Sequence, residues 1–214
     1  MGSEMCIRDS SSTIDVGSAQ AVHEAAKSAG FNMIDAPVSG GVIGADAGTL
    51  TFMCGGDKDS FEKAKPILQG MGKNIVHCGS GGLGQATKIC NNMLAGINAL
   101  AAAEAMTMGE RLGVSPDILY EVISTSTGRS YIFETSNPMP DVCSTSPANN
   151  KFKPGFMAKL MLKDLRLSQA AAQDAKTSTP LGAAATAAFQ QLIDSGFGDL
   201  DTSSIIKVIK PESK

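Results

Sequence analysis

Gly79-Ser-Gly-Gly-Leu-Gly84-Gln-Ala-Thr-Lys88-Ile-Cys-Asn91-Asn92-Met-Leu94 is the stretch on which the chain changes character. Before it, helical and strand patterns alternate. After it, only the helical period remains. Positions three and four apart share a helix face, so Lys88, Asn91 and Asn92 converge on the opening turns. Ile89, Met93, Leu94, Ile97 and Leu100 supply apolar surface beside them. A cation next to two amides on a mostly apolar helix is costly to bury and is not explained by packing. It points to a proton-transfer site. From this motif alone a plainer reading stands beside it: a solvated first-turn lysine, with asparagines that start a helix.

Upstream, residues 15–29 read as a helix closed by Gly30 in the left-handed conformation. Residues 31–36 and 49–54 read as strands, the second ended by Gly55-Gly56. Residues 57–71 form an amphipathic helix with Phe61, Ala64, Ile67 and Leu68 on its apolar face, and Asp59 with Glu62 resembles a capping box. Residues 74–78 give a third strand. This alternation predicts a small, incomplete α/β sheet. The opening MGSEMCIRDS does not continue the pattern and has neither a signal-peptide core nor an Arg-rich amphipathic helix. It reads as a non-native or mis-assembled leader. The expected division is a leader at 1–10, an α/β part at 11–83 and an all-helical part at 84–210.

In the helical part a long first helix runs over residues 85–111. Its middle is rich in Ala and Gly, so neighbouring helices can approach it closely and it should be central. Ser115-Pro116 starts a second helix as N-cap and first residue. Residues 137–154, rich in Pro, Ser and Asn, read as a long surface loop. Residues 156–175 form a third helix, Thr179-Pro180 opens a fourth, and Asp201 caps a short last one.

Composition excludes several function classes. The 214 residues carry 18 Lys+Arg against 21 Asp+Glu, a net charge of −3, with no basic block, so neither nucleic acid nor an anionic membrane is an expected partner. No apolar run reaches the ~18 residues of a membrane span. The five cysteines are odd in number and form no C-x-x-C pair. That predicts free thiols, no zinc site and no bound metal. His23 and His77 lie far apart and read as surface or sheet-edge residues.

A second constellation is Asp35-Ala-Pro-Val-Ser-Gly-Gly41, which follows a strand. Successive glycines let backbone N–H groups turn toward one point, an anion-binding nest, and the Ser39 hydroxyl adds a donor. A small carboxylate would be held there. A structural turn is the plainer reading of the same residues.

Taken together, Ser11-Ser-Thr-Ile-Asp15, Asp35-Ala-Pro-Val-Ser-Gly-Gly41, Gly48-Thr-Leu-Thr-Phe-Met53, Lys88-Ile-Cys-Asn-Asn-Met93, Ser146-Pro-Ala-Asn-Asn150 and Leu162-Lys-Asp-Leu165, in this order, resemble the β-hydroxyacid dehydrogenase family, most closely its 3-hydroxyisobutyrate dehydrogenases. The resemblance implies a Rossmann-type NAD-binding domain joined to a helical C-terminal domain. It implies Lys88 as catalytic lysine and Asn92 as the residue that orients substrate. Ser39, Gly40 and Gly41 would hold the substrate carboxylate. Thr13 and Lys163 would contact the cofactor, NAD, and Phe156 would line the same cleft. It further implies a small hydroxy-acid substrate and a homo-oligomer formed through the helical domain. The chemistry agrees: a lysine can accept the proton of the hydroxyl if burial and a nearby nicotinamide cation bring it below its usual ~10.4.

The departures are Val16, where the family has Pro, Lys153-Pro154, where it tends to have Gly, and the glycine-rich fingerprint. The family's G-x-G-x-x-G follows its first strand. Here that spacing occurs only at Gly79–Gly84, ahead of the long helix rather than opening a βαβ unit. The chain therefore reads as a C-terminal fragment, inactive by itself, of an enzyme that oxidises 3-hydroxyisobutyrate to methylmalonate semialdehyde. Alternatives are a tartronate-semialdehyde or succinic-semialdehyde/glyoxylate reductase, or a non-catalytic oligomerisation module, in which the lysine would be lost. A 6-phosphogluconate dehydrogenase would have His at position 91 and basic residues for a phosphate. The compartment expected is the mitochondrial matrix for a eukaryotic source and the cytoplasm for a bacterial one.

Overall fold

The computed structural model describes residues 7–210. It divides into two compact units, with the division between Asn91 and Asn92. The first contains β1 (Ile7–Ser10), α1 (Val16–Ser28), β2 (Asn32–Asp35), β3 (Val38–Ser39), α2 (Gly41–Asp46), β4 (Leu50–Gly55), α3 (Lys58–Leu68), β5 (Gly72–Gly79) and the opening turns of α4 (Leu83–Arg111). The change to purely helical structure thus comes at Leu83, while the division into units falls two turns later, inside α4.

The three expected strands are β2, β4 and β5, and the sheet has two more. Ile7–Ser10, set aside with the leader, pair in parallel with Asn32–Asp35. The second addition, β3, continues β2. The pairings Asp35↔Gly55, Val38↔Phe52 and Ser39↔Thr51 keep one antiparallel register along β4. Pro37 interrupts the run because it has no N–H to give, although its carbonyl still accepts Met53 N at 3.0 Å. β4 and β5 are parallel. One row of residues, Ser10–Asp35–Gly55–Gly79, therefore crosses β1, β2, β4 and β5.

Phe61, Ala64 and Leu68 of α3, spaced as one helix face, close over Ile34, Phe52 and Cys54 of the sheet. The cap of α3 is Asp57 rather than Asp59: its Oδ1 accepts Ser60 N at 2.8 Å and its Oδ2 accepts Ser60 Oγ at 2.6 Å. Asp59 lies inside the first turn, where negative charge still suits the helix end. The two Ser60 hydrogen bonds, the side-chain one first, hold the Asp57 carboxyl below its usual range. Gly30, at φ +76°, ends α1 as expected.

The second unit holds the rest of α4, then α5 (Pro116–Ser124), α6 (Tyr131–Thr135), α7 (Ala158–Asp174), α8 (Pro180–Asp194) and α9 (Ile206–Ile209). The small residues of α4 do what their size allows. Ala99, Ala102 and Ala103 are buried, and a Cβ on Gly96 would stand 3.0 Å from the Leu165 side chain. Met106, Leu165, Phe189, Leu192 and Ile205 form the middle of this core. Residues 137–154 are less of a surface loop than their composition suggests. Asn137, Met139, Cys143 and Ser146 are buried, and Pro147–Asn150 make a 3-10 turn. Asn149 ties the segment down by accepting Asp141 N and donating to Cys143 O.

Candidate functional site

The first turn of α4 rests on the row of residues that crosses the sheet. Asp35, 1% exposed, turns its carboxylate to the helix end. Oδ1 accepts Gly82 N at 2.8 Å and Oδ2 accepts Gln85 N at 2.9 Å. His23 Nε2 lies 2.8 Å from Oδ1. The glycines here serve close packing. A Cβ on Gly84 would be 2.3 Å from Met53 O, one on Gly55 would be 2.5 Å from Asp35 Oδ1, and one on Gly81 would be 2.5 Å from the His23 ring. In a dinucleotide fingerprint the N–H groups at such a helix start face a pyrophosphate. At Gly79–Gly84 an internal carboxylate occupies them, so the G-x-G-x-x-G spacing is not a phosphate cradle.

Lys88 comes next, on the second turn of α4, and is 8% exposed. The reading of a solvated first-turn lysine is thereby set aside. Gln85, fully buried, links the same helix to the segment beyond β1: its Oε1 accepts Ile14 N at 3.1 Å and its Nε2 donates to Ser12 O at 2.7 Å. Thr13 lies between these two clamped residues.

Ser39 ends β3 half-buried, and Gly40 and Gly41 open α2 with φ +135° and +61°. Both φ values lie in the region that favours glycine, so a side chain at either position would strain the backbone. Gly40 is also confined by packing, since a Cβ there would stand 3.0 Å from Leu50 Cδ2.

Asn92, one turn beyond Lys88 on α4, is 4% exposed, whereas Asn91 is exposed. The expected three-residue convergence is corrected to two: the helix turns Asn91 outward. Within the second unit Asn92 Nδ2 donates to Asp164 Oδ2 at 2.5 Å. Lys163 Nζ lies 3.1 Å from Asp164 Oδ1, an ion pair without hydrogen-bond geometry. Asp164 thus joins Asn92 to Lys163, two of the expected site residues. Phe156 is held through its backbone: its N–H and that of Gly155 donate to Asp201 Oδ2 at 3.1 and 3.0 Å.

The sequence reading assigned no role to Asp35, His23, Gln85 or Asp164. Asp35 and Asp164 were visible as members of quoted motifs. Their partners lie 47 and 72 residues away, which no local pattern reports. His77 Nε2 donates to Gly56 O at 2.8 Å and the ring stacks on Phe61, a structural role. Cys54, Cys78, Cys90 and Cys143 are free thiols. Burial, and to a smaller extent Cys78 and Asp35, push the Cys54 thiol up to about 12, which keeps it protonated and inert at neutral pH. Among the described residues no cluster of His, Cys, Asp or Glu could hold a metal ion, and no helix is long and apolar enough to cross a membrane.

Comparison with known proteins matches both units. The family model described as the NAD-binding of NADP-dependent 3-hydroxyisobutyrate dehydrogenase matches residues 82–209. The one described as the NAD binding domain of 6-phosphogluconate dehydrogenase matches residues 2–79. The two meet at the glycine loop before α4. An NAD-dependent L-serine dehydrogenase of Pseudomonas aeruginosa is 44% identical over 200 residues, covering 94% of this chain and 67% of that protein. A 3-hydroxyisobutyrate dehydrogenase of the same organism is 46% identical over 201 residues, covering 93% and 67%. Among solved structures, Mycobacterium tuberculosis 3-hydroxyisobutyrate dehydrogenase with L-serine gives a TM-score of 0.91 at 44% identity, covering 95% of this chain and 70% of that one. The chain spans about two thirds of the length of these relatives.

Proposed function

Because the chain belongs to the 3-hydroxyisobutyrate dehydrogenase family of oxidoreductases, we propose that it carries the substrate-holding and proton-transferring part of an NAD-dependent oxidation of 3-hydroxyisobutyrate to methylmalonate semialdehyde, a step of valine breakdown. The observation that carries this reading is the burial of Lys88 and Asn92 one turn apart on α4. A lysine is costly to bury and packing alone does not explain its burial; proton transfer is the role that the family resemblance gives it.

Lys88 accepts the hydroxyl proton in oxidation, and its ammonium returns it in reduction. Asn92 orients the substrate; an amide does so without taking charge, and Asp164 fixes its rotation. The N–H groups around Gly40 and Gly41, with the Ser39 hydroxyl, hold the substrate carboxylate. Thr13 and Lys163 contact NAD. Bound NAD supplies the hydride acceptor. The helix start at Gly82–Gln85 is closed to the pyrophosphate by Asp35.

Two measurements test this. Joined to a complete dinucleotide-binding domain, the chain should oxidise 3-hydroxyisobutyrate with NAD, while the 214 residues alone should show neither turnover nor micromolar NAD affinity by calorimetry. Positioning of both reactants supplies much of such a rate, and the chain has no open G-x-G-x-x-G helix start for the pyrophosphate. Turnover by the chain alone would refute that part of the reading. L-serine, also a 3-hydroxy acid, is the second substrate to compare, because one relative is named for it and another was solved with it. The larger kcat/KM identifies the substrate.

The carboxylate assignment has its own test. Ser39→Ala with Gly40→Ala removes a donor and puts a Cβ at a positive-φ position. In the active form it should raise KM for the hydroxy acid tenfold or more, about the 1.4 kcal/mol of one lost charge-assisted hydrogen bond. KM for NAD should change little, and a rise confined to NAD would reassign the loop to the cofactor. A second copy of the chain is the partner we infer for the helical unit, where Met108, Leu112, Ile118 and Val122 are exposed.

A further inference from the structure

The buried carboxylate of Asp35 has no place in the chemistry described above, yet it is heavily engaged. It accepts two backbone N–H groups of the α4 start and stands against His23 of α1. Two glycines, Gly55 and Gly84, leave room for its oxygens and for no side chain of their own. We propose that Asp35 is a positioning residue for Lys88: it ties the first turn of α4 to the sheet and sets the height, the rotation and the local field at which the lysine works.

The geometry gives the positioning. Gln85, whose N–H donates to Oδ2, precedes Lys88 by three residues, so less than one helical turn separates the fixed point from the lysine. A Cβ on Gly84 would stand 2.3 Å from Met53 O and 2.7 Å from Asp35 O, so the helix start lies too close to the sheet for any side chain at that position. The Gln85 side chain, through Ser12 and Ile14, locks the same turn sideways.

The field comes from the helix dipole. The N-terminal turn of a helix carries partial positive charge on its unpaired N–H groups. An ammonium one turn further along is disfavoured by it. A carboxylate seated on those N–H groups offsets the effect and favours the protonated lysine. His23 stands directly against Asp35, and Cys54 on β4 interacts with it. The thiol of Cys54 stays neutral at the pH of interest.

This inference rests on the reading of Lys88 as the proton acceptor, but its test needs no turnover. In the 214-residue chain labelled with ε-13C lysine, the Lys88 signal is assigned by its loss in Lys88→Met and tracked with pH. Asp35→Asn keeps the shape of the side chain, removes the charge and sets an NH2 group against a backbone donor. The Lys88 midpoint should then fall by about 0.2–0.7 pH unit, the size of one charge at a helix end. A role confined to stability would leave the midpoint in place. An unchanged or raised midpoint overturns the proposal.

Should Asp35→Asn fail to fold, the unaltered chain decides. The Gly82 and Gln85 amides should exchange hydrogen at least tenfold more slowly than the first-turn amides of α5, whose Ser115 makes no side-chain cap. Equal exchange at both helix starts overturns the proposal. If the midpoint falls as expected but Lys88→Met keeps its activity in the complete enzyme, Asp35 still sets the lysine and the acid/base reading alone is lost.

Discussion

Lys88→Met is expected to lower kcat by roughly 10²–10⁴-fold, the range for loss of a general acid/base, when made in a form of the protein with a complete dinucleotide-binding domain. Methionine keeps the length and the apolar stem. It discards the charge and the transferable proton. Lys88 is buried, so bulk water is poorly placed to take the proton in its stead. KM for NAD should stay within a few-fold, because Lys88 is not assigned to the cofactor. The ascending limb of the pH profile for oxidation, which reports loss of the lysine proton, should flatten. Asn92→Ala should lower kcat as well but leave that limb intact, since an amide does not titrate. Near-normal kcat with the limb preserved in Lys88→Met would send the proton through another group.

Local geometry was the legible part. The left-handed Gly30 cap and the helical spacing of Lys88 and Asn92 depend on residues within a few positions of one another, and both are present in the structure. The errors share a physical cause in the opposite condition. β3 has two residues, too few to show alternation, and it exists because β4 offers it a continuing register past Pro37. β1 was set aside because its composition departs from that of residues 11–80, yet a parallel pairing needs only backbone groups and a register. Asn91 and Asn92 differ by about 100° on the helix, and a sequence gives the face only to about that precision. The Asp57 cap was missed for Asp59 because both sit ahead of an apolar run, and only backbone geometry separates them.

The contacts that build the site were not legible at all. Asp35 meets the α4 start across 47 and 50 residues, Gln85 meets Ser12 and Ile14 across 73 and 71, and Asp164 meets Asn92 across 72. Each uses a residue type, Asp or Gln, that on the surface would pass as solvated. Burial makes them informative. A polar group out of water must find a partner, and the partner it finds shows which segments are held together. In both units the residue beside the expected functional one, rather than that residue itself, carries this record: Asp35 and Gln85 for Lys88 and Thr13, Asp164 for Asn92 and Lys163.

The second large effect expected is on stability. Phe189 of α8 is fully buried among Leu165, Ala185 and Leu192 in the helical core. Phe189→Ala should cost about 3–5 kcal/mol, the sum of lost transfer energy and the cavity left behind. That is a large part of the ~5–15 kcal/mol by which a domain is stable. The chain offers a convenient local reporter. It has no Trp and two Tyr, Tyr120 and Tyr131, both in the helical unit. Tyr120 stacks on Phe133 with ring centres 5.8 Å apart and donates to Glu134 O at 2.8 Å, so its emission should change when that packing is lost. Tyrosine fluorescence in a urea titration therefore reports on the helical unit and is silent on the sheet. With an m-value of about 1–3 kcal/mol/M, the midpoint should fall by roughly 1–5 M. Leu181→Ala, on the exposed side of the same helix, should move it by less than about 0.5 kcal/mol in equivalent terms. Equal shifts for the two variants would mean that α8 does not present Phe189 to the core, and the packing of α7 against α8 would have to be redrawn.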